Sequence, residues 1–331
     1  MSLFHATAIR GALATREGVL VGVNLAIFAF LSFMRPDAFA SWTNLKAILS
    51  LMTYDFLLAV AMTVVLIVRG LDLSVGSVLA LASVVMALLL QDGIPVVGAL
   101  AIGLLVALTC GFLNGMLIAK GRILPFLVTL GMMSIARGLA TVLTTGQYVS
   151  FPKAERWFTQ FGRFEFRLQI GDSFYGIPLP LLIVLATVSI FAVLLSNWHV
   201  LARLFYVGQG PEAAKLSGIK VERYTIAAYV IAALFVWIAA VLMTSATRIG
   251  YANYGIGAEM RALAAAIVGG ASIAGGSGSI LGTFLGVLML ALIGNGFILL
   301  NGDPNWQQAT FGIVLIVAVG FDAVRTYKTR R

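Results

Sequence analysis

About ten apolar stretches, each near the length needed to cross a bilayer's hydrocarbon core of ~30 Å, follow one another from residue 19 to residue 322. They fall at approximately 19–34, 52–68, 72–90, 95–118, 124–144, 177–196, 224–246, 259–273, 280–300 and 306–322. Of the 331 residues, 60% are hydrophobic and 11% charged, against roughly 25% charged in a soluble domain. The expected fold is therefore all-α: a polytopic integral membrane protein with about ten transmembrane helices. A single membrane domain spans 19–322, between an N-terminal segment 1–18 and a C-terminal tail 323–331. Arg10 and Arg16 before the apolar Val19–Met34 stretch, with Ala38, Phe39 and Ala40 after it, mimic a signal peptide. A retained first helix is the simpler reading, because nearly all of the following chain is itself membrane-like.

The net charge of +9 gives no footprint for nucleic acid, because the basic residues are scattered through loops and ends. Membrane topology accounts for them better. With the amino terminus inside, the cytoplasmic segments collect Arg10, Arg16, Arg69, Lys120, Arg122, Arg203, Lys215, Lys220, Arg223, Arg325, Lys328, Arg330 and Arg331. The outer segments receive Arg35, Lys46, Lys153, Arg156, Arg163, Arg167, Arg248 and Arg261. The bias puts both termini in the cytoplasm.

One short run interrupts the apolar pattern with unusual chemistry. GLDLSVGS, Gly70 to Ser77, sets an aspartate, two serines and glycines between two spans. An ionisable residue beside a bilayer segment is costly unless it lies at the interface or faces protein or water. Asp72 is expected to cap a helix beginning at Leu73, accepting hydrogen bonds from its unpaired first amides.

The extended string GLDLSVGSVLALASVV resembles the signature segment of the sugar-type permeases of bacterial ABC importers, the family of the ribose, xylose, arabinose and galactose permeases. Three more stretches fit in the family's order: KGRILPFLVTLGMMSIARGL (Lys120–Leu139), VGQGPEAAKLSGI (Val207–Ile219) and AAAIVGGASIAGGSGSILGT (Ala264–Thr283). Gly70, Asp72, Ser74 and Gly76 are the signature positions. The related branched-chain amino-acid permeases share the fold but favour asparagine where Asp72 stands, so the likeness points to the carbohydrate branch. It implies a bacterial inner-membrane subunit without cofactor, served by a cytoplasmic ABC ATPase and a periplasmic sugar-binding protein, and paired with a second permease copy or homologue.

Within the loop Asn197–Arg223, local signals predict a short helix over Pro211–Ser217. Gly210 precedes Pro211 at the first helical position, Glu212 lies in the first turn, Lys215 near the end, and Gly218 follows as a stop. A helix of about seven residues is not stable alone and needs a partner surface. The resemblance supplies one, since Gly210, Pro211, Glu212, Ala213, Ala214, Lys215, Leu216, Ser217 and Gly218 match the family's ATPase-coupling segment.

Other chemistry is missing from the sequence. His5 and His199 are the only histidines, and no G-x-x-x-x-G-K-[ST] motif or metal-ligand cluster occurs. Cys110 lies in an apolar run and reads as core. The chain thus reads as a transport subunit rather than an enzyme. The alternative reading is an ion-coupled secondary transporter or passive facilitator, but its titratable candidates, Asp55 and Asp72, both fall near expected span ends. For an uncharged sugar, the polar residues in or beside the spans are Asn114, Thr144, Gln147, Tyr251, Asn253, Asn295 and Gln307. Each could equally satisfy a neighbouring backbone.

Small residues at four-residue intervals, Gly103, Ala107, Gly111 and Gly115, then Gly278, Gly282 and Gly286, are expected to pack helices closely. The segment 259–273 is short and is either a tilted helix or a re-entrant, broken element, a candidate gate. DPNWQ (Asp303–Gln307) reads as the entry to the last helix, with Asp303 as cap, Pro304 in the first turn and Trp306 at the interface. The loop Gln147–Tyr175 is either an ordinary outer loop or part of a docking surface for the binding protein.

Overall fold

A computed structural model describes residues 15–152, 154–171, 173–303 and 305–329. Its elements run α1 (Arg16–Met34), α2 (Pro36–Phe39), α3 (Trp42–Ile67), α4 (Val75–Gln91), α5 (Val96–Ala119), α6 (Pro125–Thr144), β1 (Tyr148–Ser150), α7 (Arg156–Phe161), β2 (Glu165–Ile170) and β3 (Ser173–Pro178). There follow α8 (Leu179–Asn197), α9 (His199–Gln209), α10 (Pro211–Leu216), α11 (Val221–Thr247), β4 (Ile249–Tyr251), α12 (Ala258–Val268), α13 (Ile280–Leu299) and α14 (Asn305–Thr329).

Seven of these helices, α1, α3, α5, α6, α8, α11 and α13, are long and apolar enough to cross a membrane. Two more apolar helices, α4 and the Trp306–Gly320 part of α14, are shorter, and the expected span at 259–273 is only the 11-residue α12. The largest boundary correction concerns α3, which starts at Trp42 rather than near residue 52. Ser41 caps it by accepting from Asn44 N, and the helix continues through Asn44 and Lys46, which had masked it as a loop. The chain is mostly helical, as expected, with two short strand pairs added to the helices. β1 pairs antiparallel with β4 (Tyr148↔Tyr251, Val149↔Gly250, Ser150↔Ile249) and β2 with β3, so the outer-loop candidate Gln147–Tyr175 is largely built structure. Lys46 ties it to α3 through Glu165 at 3.0 Å.

The core is formed by α3, α4, α11 and the α12–α13 pair, whose buried faces make one continuous apolar cluster. α1 packs on α13, where Asn24 Nδ2 donates to Leu285 O at 3.1 Å, so the amino-terminal apolar stretch is an integral helix of the bundle. Both small-residue stripes are used for close packing. On α5, Gly111 meets Ala233 and the Tyr229 backbone, and Gly115 meets Ile226. Cys110, on the same helix, is buried and free. On α13, a Cβ added to Gly282 would lie 1.8 Å from Gly269 O. Lipid tails offer helices no hydrophobic drive to associate, so such backbone approaches carry the packing. Gly282→Val is therefore expected to cost about 3 kcal/mol, read as a lowered unfolding midpoint in detergent. An unchanged midpoint would contradict the packing role.

For the DPNWQ entry, Trp306 is exposed and its amide donates to Asp303 O at 3.0 Å. Pro304 lies outside the described residues, as do His5, Arg10, Lys153, Asp172, Arg330 and Arg331.

Candidate functional site

The chain does not pass from α3 to α4 through an ordinary loop. After Ile67 it turns at Arg69, whose Nε and Nη2 donate to Gly208 O (2.6 Å) and Gln209 O (2.9 Å), and then re-enters the bundle as non-helical backbone over Gly70–Ser74. Tyr229 on α11 holds this backbone: its hydroxyl accepts from Leu71 N at 3.2 Å and donates to Leu71 O at 3.1 Å. Asp72 is buried, 5% exposed, and its Oδ1 accepts from Ser74 N (2.8 Å) and Ser74 Oγ (2.6 Å). Asn114 Nδ2 completes the chain by donating to Ser74 Oγ at 3.1 Å. The capping expectation is thus corrected in detail. The helix starts at Val75 rather than Leu73, and Asp72 closes a turn one step before it instead of bonding a first-turn amide, because Ser74 is the nearer donor. Both bonds ask only for an acceptor. Asp72→Asn should therefore be mild, whereas Asp72→Leu should cost roughly 1–3 kcal/mol by taking the acceptor from the Ser74 amide and hydroxyl hydrogens. Loss of transport in a well-assembled Asp72→Asn protein would instead assign the charge a direct role.

A second irregular segment faces the first. From β4 the chain descends alongside α4: Gly250 lies against Ser83 and Ala87, and Gly255 against Gly76. A Cβ on Gly76 would sit 2.2 Å from Gly255 O, which explains that signature glycine. α12 then starts inside the bundle and ends near Gly270, whose carbonyl accepts from Arg16 Nη1 at 3.1 Å. Its 11 residues reach about 16 Å, half of a bilayer core. The 259–273 segment is thus an 11-residue helix followed by non-helical backbone from Gly269. Its irregular backbone lies against protein, as membrane depth requires.

Where the broken element begins, charges gather. Arg261 on α12 forms a bidentate pair with Asp55, Nε to Oδ2 at 3.0 Å and Nη2 to Oδ1 at 3.1 Å. Arg137 on α6 donates through Nη1 to Ala252 O and to Tyr254 O, the latter at 2.7 Å. Glu259 lies within electrostatic reach of both arginines. Asp55 is some 18–20 Å from either end of α3. It is not near a span end, as the shorter span had implied, and Arg261 is not in an outer loop. The side chains of Asp55 and Arg261 remain 20% and 29% exposed at the surface of the single chain.

Of the polar residues the sequence singled out, Tyr251 and Asn253 adjoin this cluster. Asn253 Nδ2 donates to Tyr251 Oη at 2.9 Å, and the Tyr251 and Tyr254 rings meet edge-on at 5.8 Å. Gln147 is exposed just before β1. The others are used elsewhere: Asn114 in the signature network, Thr144 on Ala140 O (2.9 Å), Asn295 in a reciprocal amide pair with Asn44 (2.7 and 3.1 Å), and Gln307 against Gly294. Sequence reasoning overlooked Arg137, although an arginine inside an apolar span is itself the signal.

At the end of the bundle that holds Arg69, α10 forms as the sequence predicts, one residue shorter: Pro211 in the first turn, Glu212 after it, Lys215 in the last turn, Ser217 as cap. Gly218 follows at φ +81. Ala214 faces inward and is buried, while Ala213, Ser217 and Leu216 face out, the last 90% exposed. At the opposite end Glu155 accepts from Trp157 Nε1 and from Val96 N, bonds that hold its carboxyl below its ordinary value. Among the described residues no group of three His, Cys, Asp or Glu side chains suits a metal ion.

Long apolar helices, two non-helical breaks inside the bundle and a compensated charge cluster halfway along α3 are features of a membrane permease. The chain belongs to the family described as branched-chain amino acid transport system / permease component, whose model matches residues 44–319. It is 33% identical to the ribose import permease protein RbsC of Bacillus subtilis (strain 168), over 92% of this chain and 94% of the relative. It is also 33% identical to the L-arabinose ABC transporter permease protein AraH of Azospirillum brasilense, over 96% and 90%. The fructose import permease protein FrcC of Rhizobium meliloti is 30% identical over 92% and 84%. No solved structure matches the chain.

Proposed function

We propose that this chain is the permease subunit of an ATP-binding-cassette importer for a monosaccharide or a related polyol or sugar derivative. It sits in the bacterial inner membrane with both termini cytoplasmic, takes its substrate from a periplasmic binding protein and works with a separate ATPase and a second permease copy. The sugar-named relatives support the substrate class. The observation that carries the mechanism is the part-exposed Asp55–Arg261 pair, halfway along α3. A charge pair facing lipid at that depth is costly, so this surface faces a second permease copy and the watery path between the two. Tyr251 and Asn253 beside it give that path an aromatic face and hydrogen-bonding groups suited to a neutral polyol. The signature residues Gly70, Asp72, Ser74 and Gly76 shape the wall rather than touch the substrate.

The alternative of an ion-coupled transporter draws on Asp55 and Glu259 at membrane depth. Asp55 is held in both oxygens by Arg261, which suits a fixed charge better than a relay. Reconstitution separates the two. Uptake into liposomes is expected only with ATP, the ATPase and the binding protein together, and accumulation driven by a proton gradient without ATP would overturn the importer reading.

A further inference from the structure

Arg203 on α9, with Lys220, Arg223 and Tyr224 at the start of α11, converge on a concavity of about 360 Å³ beside α10, completed by Gly218, Ile219 and Ala227. No acidic residue lines it. The ion pairs among the described residues, Lys46–Glu165 and Arg261–Asp55, involve none of the three cations. Arg203 Nη1 donates to the Tyr224 hydroxyl oxygen at 3.1 Å, leaving the phenolic hydrogen to donate elsewhere. The side chains therefore present donors and positive charge toward the cavity, because neither arginine nor lysine can accept a hydrogen bond. The 27-residue α11 begins at the same place, and its positive end adds to the field of the three cations. Glu222, in that first turn, is not part of the lining.

A cavity lined by three cationic donors and no carboxylate suits a phosphate ester. We infer that it holds the headgroup of an anionic phospholipid. Helix α11 is about 40 Å long against a core of ~30 Å, which sets Lys220–Tyr224 at headgroup level. Ile219 and Ala227 add an apolar part to the lining, a feature that free phosphate does not need and an acyl chain does. On the neighbouring α9 and its cap, Trp198, Val200 and Tyr206 are exposed, as on a helix lying in the interface. Basic pockets between spans on the cytoplasmic side are suited to such headgroups. Assignment to the cytoplasmic leaflet rests on the orientation proposed above, whereas headgroup binding does not.

The test places the purified chain in nanodiscs of equal parts phosphatidylcholine and phosphatidylglycerol, re-extracts it in detergent and counts retained lipid by native mass spectrometry. The wild-type chain is expected to retain phosphatidylglycerol preferentially, and R203Q/R223Q to retain both lipids equally. R203K/R223K and K120Q/R122Q, the latter removing two charges at the same end of the bundle, should keep the preference; R223Q alone serves if the double variant does not fold. Equal retention by the wild type, or an unchanged preference in R203Q/R223Q and R223Q, overturns the site. Loss of preference in K120Q/R122Q overturns it in favour of diffuse surface charge. Displacement of the lipid by millimolar inorganic phosphate overturns it in favour of a free anion, and an R203Q/R223Q chain that keeps its lipid but loses the ATPase overturns it in favour of protein docking. Labelling of Leu216→Cys from one side of sealed vesicles reports orientation separately.

Discussion

Arg261→Leu and Asp55→Leu, made singly, are each expected to destabilise the chain by about 3 kcal/mol and to abolish transport, while the double variant recovers most of the stability and none of the transport. Either single change leaves one charge at mid-span without its bidentate partner. Breaking such a pair costs more than removing it whole, because the survivor keeps its desolvation penalty. In Asp55→Leu the loss is tempered by Glu259, still within reach of Arg261, so Arg261→Leu should be the worse of the two. Unfolding midpoints in detergent give the stability half of the cycle, and ATP-driven uptake by the reconstituted importer gives the functional half. Additive stabilities would deny the coupling. Full transport by the double variant would remove the pair from the path.

The second large effect is expected at α10. Leu216→Asp and Ala213→Glu should leave membrane insertion and the unfolding midpoint unchanged, yet eliminate co-purification of the ATPase and hence uptake. Leu216, 90% exposed, projects an apolar side chain from a helix too short to stand alone, and a charge there is unfavourable only when a partner covers it. Ala214 is a different case. It is buried against the permease's own fold, so a bulky charge there would damage the subunit itself and report nothing about the partner. Normal ATPase recovery with both Leu216→Asp and Ala213→Glu would rule out α10 as the docking element.

The sequence made the helical, membrane-embedded character legible because apolar length is a direct consequence of bilayer thickness, and α5, α6, α8 and α13 lie within two residues of their expected bounds. It also made α10 legible, since Pro211, Glu212, Lys215 and Gly218 each act within one turn. What it concealed depends on contacts distant in the chain. Asn44 and Lys46 depress local hydropathy, so the first part of α3 read as a loop and Asp55 as a terminal residue. Nothing near Arg261 announces a partner 206 positions away. The role of Gly76 is set by Gly255, and no period or propensity encodes that meeting. Arg137 was legible in principle, as a charge within a span.

The α12 segment bears on how such a chain enters its membrane. Eleven residues carrying Glu259 and Arg261 are too short and too polar to leave the translocation machinery for lipid by hydropathy alone. The groups that neutralise or anchor this stretch, Asp55 on α3 and Arg137 on α6, are synthesised earlier. The segment therefore enters as a guest of helices already in place, and its insertion is a tertiary folding step rather than a partitioning step. A truncated nascent chain lacking α3 should release this segment on the aqueous side, however apolar the α13 that follows it.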